Sequence, residues 1–361
     1  KNKNKNKNKN KNKNKNKNKN KNKNKNNYIP WVEKYRPKNI NDLELNISTL
    51  NKLRKMSIEK DMPNLIITGM PGIGKTTTIQ CISRELLGPY TKDNVLELNA
   101  SDDRGIKAVH ENIIHFCRKK INIPEKEKSK YAKHKIILLD EADNMTKKAQ
   151  QLINNLIEKY RHTTRFGFTC NNSSDIIESI QSRCIIFRYK RLNKEHVKNK
   201  IIKIAKKEDV PYDDGGINSI IINSQGDMRQ AINCLQLTFD GYKFINSDNV
   251  FKLCDKPHPI VIINIFKHCY NNSPKEALIK LKSLWDDGFS GSDLVLSMIN
   301  TIKLMCDDII PIEIKIRYLE IITKTCMIIS KGIDTRLQLT GCILHLCNPS
   351  YKQEILSDHY I

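Results

Sequence analysis

The sequence predicts an α/β domain built on a parallel sheet, followed by two helical domains. β-rich segments alternate with segments of helical periodicity between about residues 63 and 190, which is typical of a parallel sheet covered by helices on both faces. From residue 193 onwards, apolar residues recur mostly at helical spacings. A glycine-rich loop follows the first predicted strand and precedes a helix, which is the setting that a phosphate-binding loop requires.

The N-terminal tail is a strict Lys-Asn repeat over residues 1–26. It carries thirteen lysines, so the rest of the chain holds +11 of the net charge of +24. The repeat has no apolar residue to offset its ordering entropy, and we expect it to be disordered. Three interpretations of the tail fit its sequence: binding to nucleic acid, nuclear targeting, and a low-complexity tract without function. The basic remainder of the chain suits a polyanionic partner.

The predicted strands alternate with the helices of the first domain; they span 64–68, 95–99, 135–140, 165–170 and 184–188. The phosphate-binding loop follows the first of them and consists of Gly69, Met70, Pro71, Gly72, Ile73, Gly74, Lys75, Thr76 and Thr77. Its glycines let successive backbone N–H groups point at phosphate oxygens, and the following helix adds its positive end. Lys75 is expected to reach the β- and γ-phosphates, and the Thr76 hydroxyl is expected to serve Mg²⁺.

A second apolar run, at 136–139, ends in Asp140 and Glu141. Asp140 is the expected magnesium residue, partly through water, and Glu141 the expected activator of the attacking water. An extra strand, 95–99, lies in sequence between the two motifs, as in the additional-strand class of P-loop ATPases. The motifs therefore predict an ATPase with ATP and Mg²⁺ as its cofactors.

Composition excludes some classes of protein. No run approaches the roughly 18 apolar residues of a membrane span, so we expect no membrane partner. The 11 cysteines are odd in number and scattered, which favours a reduced intracellular protein without a zinc module.

The acidic motif and four further segments carry a resemblance to a known family, the small subunits of replication factor C, the AAA+ clamp loader. They are Pro30–Pro37, Leu96–Gly105, Lys135–Asp143, Ser182–Cys184 and Gly226–Ala231. The similarity covers about residues 28–350, and Asn246–Asp255 resembles most closely the type called subunit 2 in animals. The resemblance implies a tail at 1–27, an AAA+ P-loop ATPase domain at 28–191, a helical lid at 192–255 and a helical collar for oligomerisation at 256–361.

The resemblance also implies roles that spacing alone does not supply. Val32, Tyr35 and Arg36 resemble the segment against the adenine and phosphates, although on residues alone they could equally anchor the first helix. Asn171 resembles sensor 1, an amide that fixes the lytic water or the γ-phosphate. Arg229 resembles sensor 2 on the lid. Arg183 resembles the arginine finger, which acts in trans on the ATP of the neighbouring subunit.

The family binds DNA without reading its sequence. The resemblance implies phosphate contacts from Arg104, Gly105 and Lys107, and the lysines Lys147 and Lys148 are further candidates, although surface lysines usually have no such role. The chain departs from the usual sequence of the family at two places near these candidate DNA contacts, and each departure makes the local charge less positive. Asp102 stands where the family usually has asparagine, and Asn154–Asn155 stand where it usually has two arginines.

The implied function is that of an ATPase subunit of a nuclear heteropentamer, with other replication factor C subunits, the sliding clamp and primer–template DNA as its partners. ATP binding would open the clamp, proliferating cell nuclear antigen, and hydrolysis would release it closed around DNA. Two alternatives are an ATP-binding structural or regulatory subunit with little hydrolysis, and a ring-forming DNA motor.

Overall fold

The computed structural model describes residues 29–100, 106–127, 129–253, 257–306 and 309–348, and describes the side chains of all of these except 106–109. The predicted disordered tail and the residues Asp102, Arg104 and Gly105 lie outside them. The chain divides into two compact units. Of the described residues, the first unit contains those up to Leu192 together with Asp227–Asn233, and the second contains Asn193–Gly226 and those from Cys234 onwards.

A five-stranded parallel sheet forms the centre of the first unit. Its strands are β1 (Leu65–Thr68), β2 (Val95–Asn99), β3 (Lys135–Asp140), β4 (Thr164–Cys170) and β5 (Ile185–Arg188). The predicted α/β fold is confirmed, and each predicted strand boundary lies within one residue of the observed one. β-branched and other apolar residues dominate the central strands β1, β3 and β4, which are buried on both faces.

The strand order is β2-β3-β4-β1-β5. Strand β2, the additional strand that lies between the two ATP motifs in the sequence, is at the edge of the sheet. In space, β4 separates β1 from β3. Since carboxyl ends of parallel strands share one edge of the sheet, the residues after β1, β3 and β4 converge there.

Helices cover both faces of this sheet. They are α1 (Trp31–Lys34), α2 (Ile47–Glu59), α3 (Lys75–Leu87), α4 (Thr91–Asn94), α5 (Ile106–Arg118), α6 (Lys147–Lys159) and α7 (Glu178–Gln181). Short 3₁₀ turns lie at Ile40–Asp42, Gly88–Tyr90, Glu125–Glu127, Ala142–Asn144 and Ser173–Asp175. Side chains alternate along β1, so Leu65 and Ile67 join the core on one face and Ile66 joins the core on the other.

The second unit is helical, as predicted. Its helices are α8 (Lys194–Lys207), α9 (Asp214–Ser224), α10 (Met228–Tyr242, whose first turns belong to the first unit), α11 (Ser247–Leu253), α12 (Pro259–Tyr270), α13 (Pro274–Asp286), α14 (Gly291–Leu304), α15 (Ile312–Ser330) and α16 (Arg336–Leu346). Helices α12–α16 enclose one apolar core around Phe266, Met298 and Ile322. The boundary between lid and collar at 255–256 stays a prediction. In the described ranges, no helix has the length and apolar composition needed to cross a membrane.

Candidate nucleotide site

The phosphate loop turns between β1 and α3, and its backbone demands glycine. Gly72 has φ 70° and Gly74 has φ 91°, a region that residues with a side chain rarely adopt. Gly74 is the N-cap of α3, so the helix begins at Lys75. The Ile73 side chain is buried, whereas Met70 and Pro71 are exposed. The buried isoleucine anchors the loop, and the backbone N–H groups of the loop remain its means of binding phosphate.

Lys75 joins the loop to β4. Its Nζ donates to the backbone oxygens of Gly69 at 2.7 Å and Met70 at 2.9 Å, and to Oδ1 of Asn171 at 2.8 Å. Burial lowers the pKa of the Lys75 ammonium below its usual value, although the nearby Asp143 and Asp140 carboxylates act in the opposite direction. The structure thus brings together Lys75 and Asn171, which lie 96 residues apart in the sequence.

Thr76 and Asp140 are paired across the site. The Thr76 hydroxyl donates to Asp140 at 2.9 Å from Oδ1 and 3.0 Å from Oδ2. A hydroxyl beside a carboxylate is a set of hard oxygen donors, the ligands that Mg²⁺ prefers. These two residues therefore fit the magnesium ion that the sequence predicts.

Glu141 follows β3 in a strained backbone conformation. Its φ of 54° and ψ of 43° lie in the left-handed region, where non-glycine residues are uncommon. The side chain is exposed, and its Oε2 accepts a hydrogen bond from Asn144 Nδ2 at 3.3 Å. Such strain is often maintained at functional sites by the surrounding contacts. The conformation presents the Glu141 carboxylate at the same sheet edge as Asp140.

Asp143 fixes the position of Asn171, a contact that the sequence did not indicate. Its Oδ2 accepts a hydrogen bond from the Asn171 backbone N–H at 2.9 Å. The Thr68 hydroxyl at the end of β1 donates to the Asn171 carbonyl at 3.0 Å. Asn171 is thereby held by residues from β1 and from the loop after β3. In the sequence, the signal for Asn171 was its position directly after a buried strand. For the role of Asp143 there was no signal beyond its place in the acidic motif.

The start of α10 lies against the phosphate loop. The backbone N–H of Met228 donates to the Gly72 carbonyl at 3.1 Å. The Asp227 carboxylate occupies the space that a Cβ on Gly72 would need, and its Oδ1 accepts from the Gln230 N–H at 2.9 Å. Arg229 is exposed, and its charge contributes to lowering the pKa of Lys75, for which burial is the main cause. The predicted sensor arginine directly follows Met228, whose backbone contacts the loop, and the contact of Asp227 with the loop was missed.

The N-terminal aromatic segment contacts α3. Arg36 forms an ion pair with Glu33 at 3.3 Å and its Nη1 donates to Gln80 Oε1 at 3.4 Å. The Pro37 carbonyl accepts from Arg84 Nη1 at 3.4 Å. These contacts place the segment along the helix that follows the phosphate loop. The roles predicted for Val32, Tyr35 and Arg36 at the nucleotide stay predictions.

Arg183 lies at the surface in the short connection between α7 and β5. One guanidinium nitrogen forms an ion pair with Glu158, and Nη1 donates to the Ser179 carbonyl at 2.6 Å. Its side chain is 38% exposed. None of its described hydrogen bonds or ion pairs involves the phosphate loop of its own chain.

The candidate DNA-binding residues are only partly described. Arg104 and Gly105 lie outside the described residues, and Lys107 is in α5 without a described side chain. Lys147 and Lys148 are exposed in the first turn of α6, which Thr146 caps by accepting from the Ala149 N–H at 3.3 Å. Helices α5 and α6 pack against each other, so Lys107 and the pair Lys147 and Lys148 lie on neighbouring helices. Asn154 and Asn155 lie on the same α6, and Asn155 is exposed.

Comparison with known proteins identifies close relatives. The AAA family of ATPases associated with various cellular activities matches residues 65–192, and the replication factor C C-terminal domain matches residues 257–345. Replication factor C subunit 4 of Schizosaccharomyces pombe is 45% identical over 90% of this chain and 93% of its own length. Replication factor C subunit 2 of Arabidopsis thaliana is 41% identical over 88% of this chain and 92% of its own length.

Solved structures share the fold at lower identity. A proline-to-glycine variant of RuvB from Thermotoga maritima is 18% identical, with a TM-score of 0.50 over 66% of this chain and 82% of that one. At this identity the likeness concerns the fold alone.

Proposed function

The chain belongs to the family of replication factor C small subunits, and from this premise we propose how its site works within a clamp loader. The chain is an AAA+ ATPase that functions in a multisubunit clamp-loader complex. The observation that supports the proposal best is the convergence of Lys75, Thr76, Asp140, Glu141 and Asn171 at one sheet edge. Each residue there has the chemistry that hydrolysis of a phosphoanhydride needs.

The residues of the phosphate loop have distinct parts in this proposal. The backbone of Gly69–Gly74 and the Lys75 ammonium bind the phosphates of ATP, with Thr77 in the first turn of the helix. Thr76 and Asp140 hold Mg²⁺, which would neutralise charge on the phosphate oxygens. Glu141 orients the attacking water and accepts its proton, while Asn171 fixes that water or the γ-phosphate. Arg229 reports the state of the nucleotide to the lid.

Arg183 is proposed to complete the site of the neighbouring subunit. A guanidinium suits the charge that spreads over a transferring phosphoryl group. The exposed position of Arg183 supports a role at a subunit surface. Hydrolysis would then depend on assembly.

The partners follow from the family. We propose a heteropentamer with other replication factor C subunits, which opens the sliding clamp when ATP binds and releases it on primer–template DNA when ATP is hydrolysed. Arg104, Gly105, Lys107, Lys147 and Lys148 are the proposed contacts to DNA phosphates, which position the protein without reading bases. Replication requires access to chromosomal DNA, so the proposed location is the nucleus. The subunit type stays a prediction, since the two named relatives carry different subunit numbers.

ATP hydrolysis by the isolated chain is expected to be low and to rise sharply with its partner subunits, the clamp and primed DNA. The physical reason is that each ATP would need an arginine from the next subunit. The measurement is steady-state phosphate release by the chain alone, by the co-expressed complex, and by the complex with clamp and primed DNA. Strong hydrolysis by the isolated chain that ignores the clamp would contradict the proposal and favour an independent motor.

Gly72→Ala is expected to weaken ATP binding about 30- to 150-fold. The left-handed backbone costs a residue with a Cβ about 1–2 kcal/mol, and displacing Asp227 breaks its hydrogen bond to the Gln230 N–H, worth about 1 kcal/mol as a helix cap. The empty loop of the variant is expected to relax and avoid these costs, about 2–3 kcal/mol together, so ATP binding has to restore the working conformation and loses the stated affinity. Titration with a fluorescent ATP analogue measures it.

Gly74→Ala is the matched control for this change. Gly74 also has a positive φ, but no atom lies within 4 Å of the added Cβ. Gly74→Ala should therefore incur only the cost of the left-handed backbone, about 1–2 kcal/mol, which corresponds to about tenfold weaker ATP binding. Adding Asp227→Ala to Gly72→Ala should cause no further loss, because the hydrogen bond to the Gln230 N–H is already broken in the single variant. Equal losses for the two glycine variants would contradict this account.

A further inference from the structure

The peptide that joins Asp140 to Glu141 is held from both sides by the neighbouring strands. Its carbonyl, on Asp140, accepts a hydrogen bond from the Ala100 N–H just after β2 at 2.8 Å. Its N–H, on Glu141, donates to the Thr169 hydroxyl in β4 at 3.3 Å. Since β3 lies between β2 and β4, both contacts are set by the order of the sheet. The orientation of this peptide decides where both acidic side chains point.

Thr169 makes a second contact to the same pair. The Thr169 hydroxyl donates to Oδ1 of Asp140, and the oxygen of that hydroxyl accepts from the Glu141 N–H. A threonine hydroxyl has one donor and two acceptor lone pairs, so one group can serve both residues. The side chain has no exposed surface. Water therefore does not compete for these two hydrogen bonds.

We propose that Thr169 is a positioning residue for ATP hydrolysis, which holds the Asp140 carboxylate and the strained Glu141 backbone in their working orientation. This inference rests on the proposed roles of Asp140 and Glu141. Glu141 occupies the left-handed region, and its backbone must be held there by contacts such as this one. Thr76 also donates to Asp140, but that hydroxyl is proposed to serve Mg²⁺. With the Thr76 hydroxyl on Mg²⁺, the hydroxyl of Thr169 would still donate a hydrogen bond to Asp140.

Thr169→Val tests this role, since it removes the hydroxyl and keeps the β-branched shape. We expect the turnover of the assembled complex at this site to fall about tenfold or more, because a hydrogen bond to a charged group is worth about that factor. ATP affinity should change less than about threefold, since the loop backbone is untouched. More magnesium should be needed for half-maximal turnover. Thr169→Ser, which retains the hydroxyl, should restore most of the turnover.

Two controls separate positioning from packing. Thr164→Val changes a buried threonine at the opposite end of β4 and should leave kcat unchanged. Melting temperatures of the variants report any loss of stability, and Thr169→Ala provides a second hydroxyl-free variant if the valine variant is unstable. If the serine variant is as impaired as the hydroxyl-free variants, the inference is overturned in favour of packing.

Glu141→Gln, measured in parallel, distinguishes failure of this inference from failure of the proposed function. If Glu141→Gln lowers turnover and Thr169→Val leaves both kcat and the magnesium requirement unchanged, the positioning role alone is refuted. If Glu141→Gln has no effect on turnover, the proposed role of Glu141 fails, and the role of Thr169 fails with it.

Discussion

Glu141→Gln is expected to lower ATP turnover at this subunit's site about 100-fold or more, while ATP binding changes little. The amide keeps the size of the carboxylate but cannot accept the proton of the attacking water, and general-base catalysis typically contributes about 10²–10⁴-fold. The Gly69–Gly74 backbone and Lys75, which are proposed to bind the phosphates, are unaffected by the change. The variant should therefore trap ATP on the complex.

The measurement compares single-turnover hydrolysis with binding of a fluorescent ATP analogue, in complexes where only this subunit carries the substitution. Glu59→Gln is a suitable control, because Glu59 is an exposed glutamate at the end of α2, where its ion pair with Lys55 spans 3.7 Å at the surface. A complex that hydrolyses ATP and loads clamps at the normal rate despite Glu141→Gln would favour the alternative of a structural or regulatory subunit.

The part of the site that follows directly from local sequence was predictable. A glycine-rich loop between a strand and a helix can form only a few structures, and the loop does lie between β1 and α3, with Lys75 and Thr76 in the first turn of α3. The five strands were also predictable, because β-branched runs between helical segments give a strong periodic signal.

Contacts that depend on strand order were not predictable from spacing. The insertion of β4 between β1 and β3 brings Thr169 beside Asp140, although the two lie 29 residues apart. A threonine in a strand is ordinarily explained by β-propensity, so its sequence context offered no signal of a role. Asp227 is similar, because its contact with Gly72 arises only when α10 returns to the loop.

Arg183→Ala is expected to lower hydrolysis at the neighbouring subunit's site about 100-fold or more and to leave ATP binding by this chain unchanged. Arginine fingers contribute about 10³–10⁵-fold in related phosphoryl transfer. The folded chain should tolerate the change, because both Arg183 and its partner Glu158 are substantially exposed and such surface pairs add little stability. Turnover of the complex and the melting temperature of the variant measure the two effects, with the exposed Arg188→Ala as control.

A double variant decides on which site Arg183 acts. Glu141→Gln inactivates the site of this chain, so a cis-acting Arg183 would have nothing further to remove, and the double variant would match Glu141→Gln alone. An Arg183 that acts in trans removes a second site, and the losses in turnover of the complex would then add. Arg183→Lys retains the charge but loses the planar fork of donors, so it should recover only part of the activity. Additive loss with a partial lysine rescue is the result expected of an arginine that completes its neighbour's site.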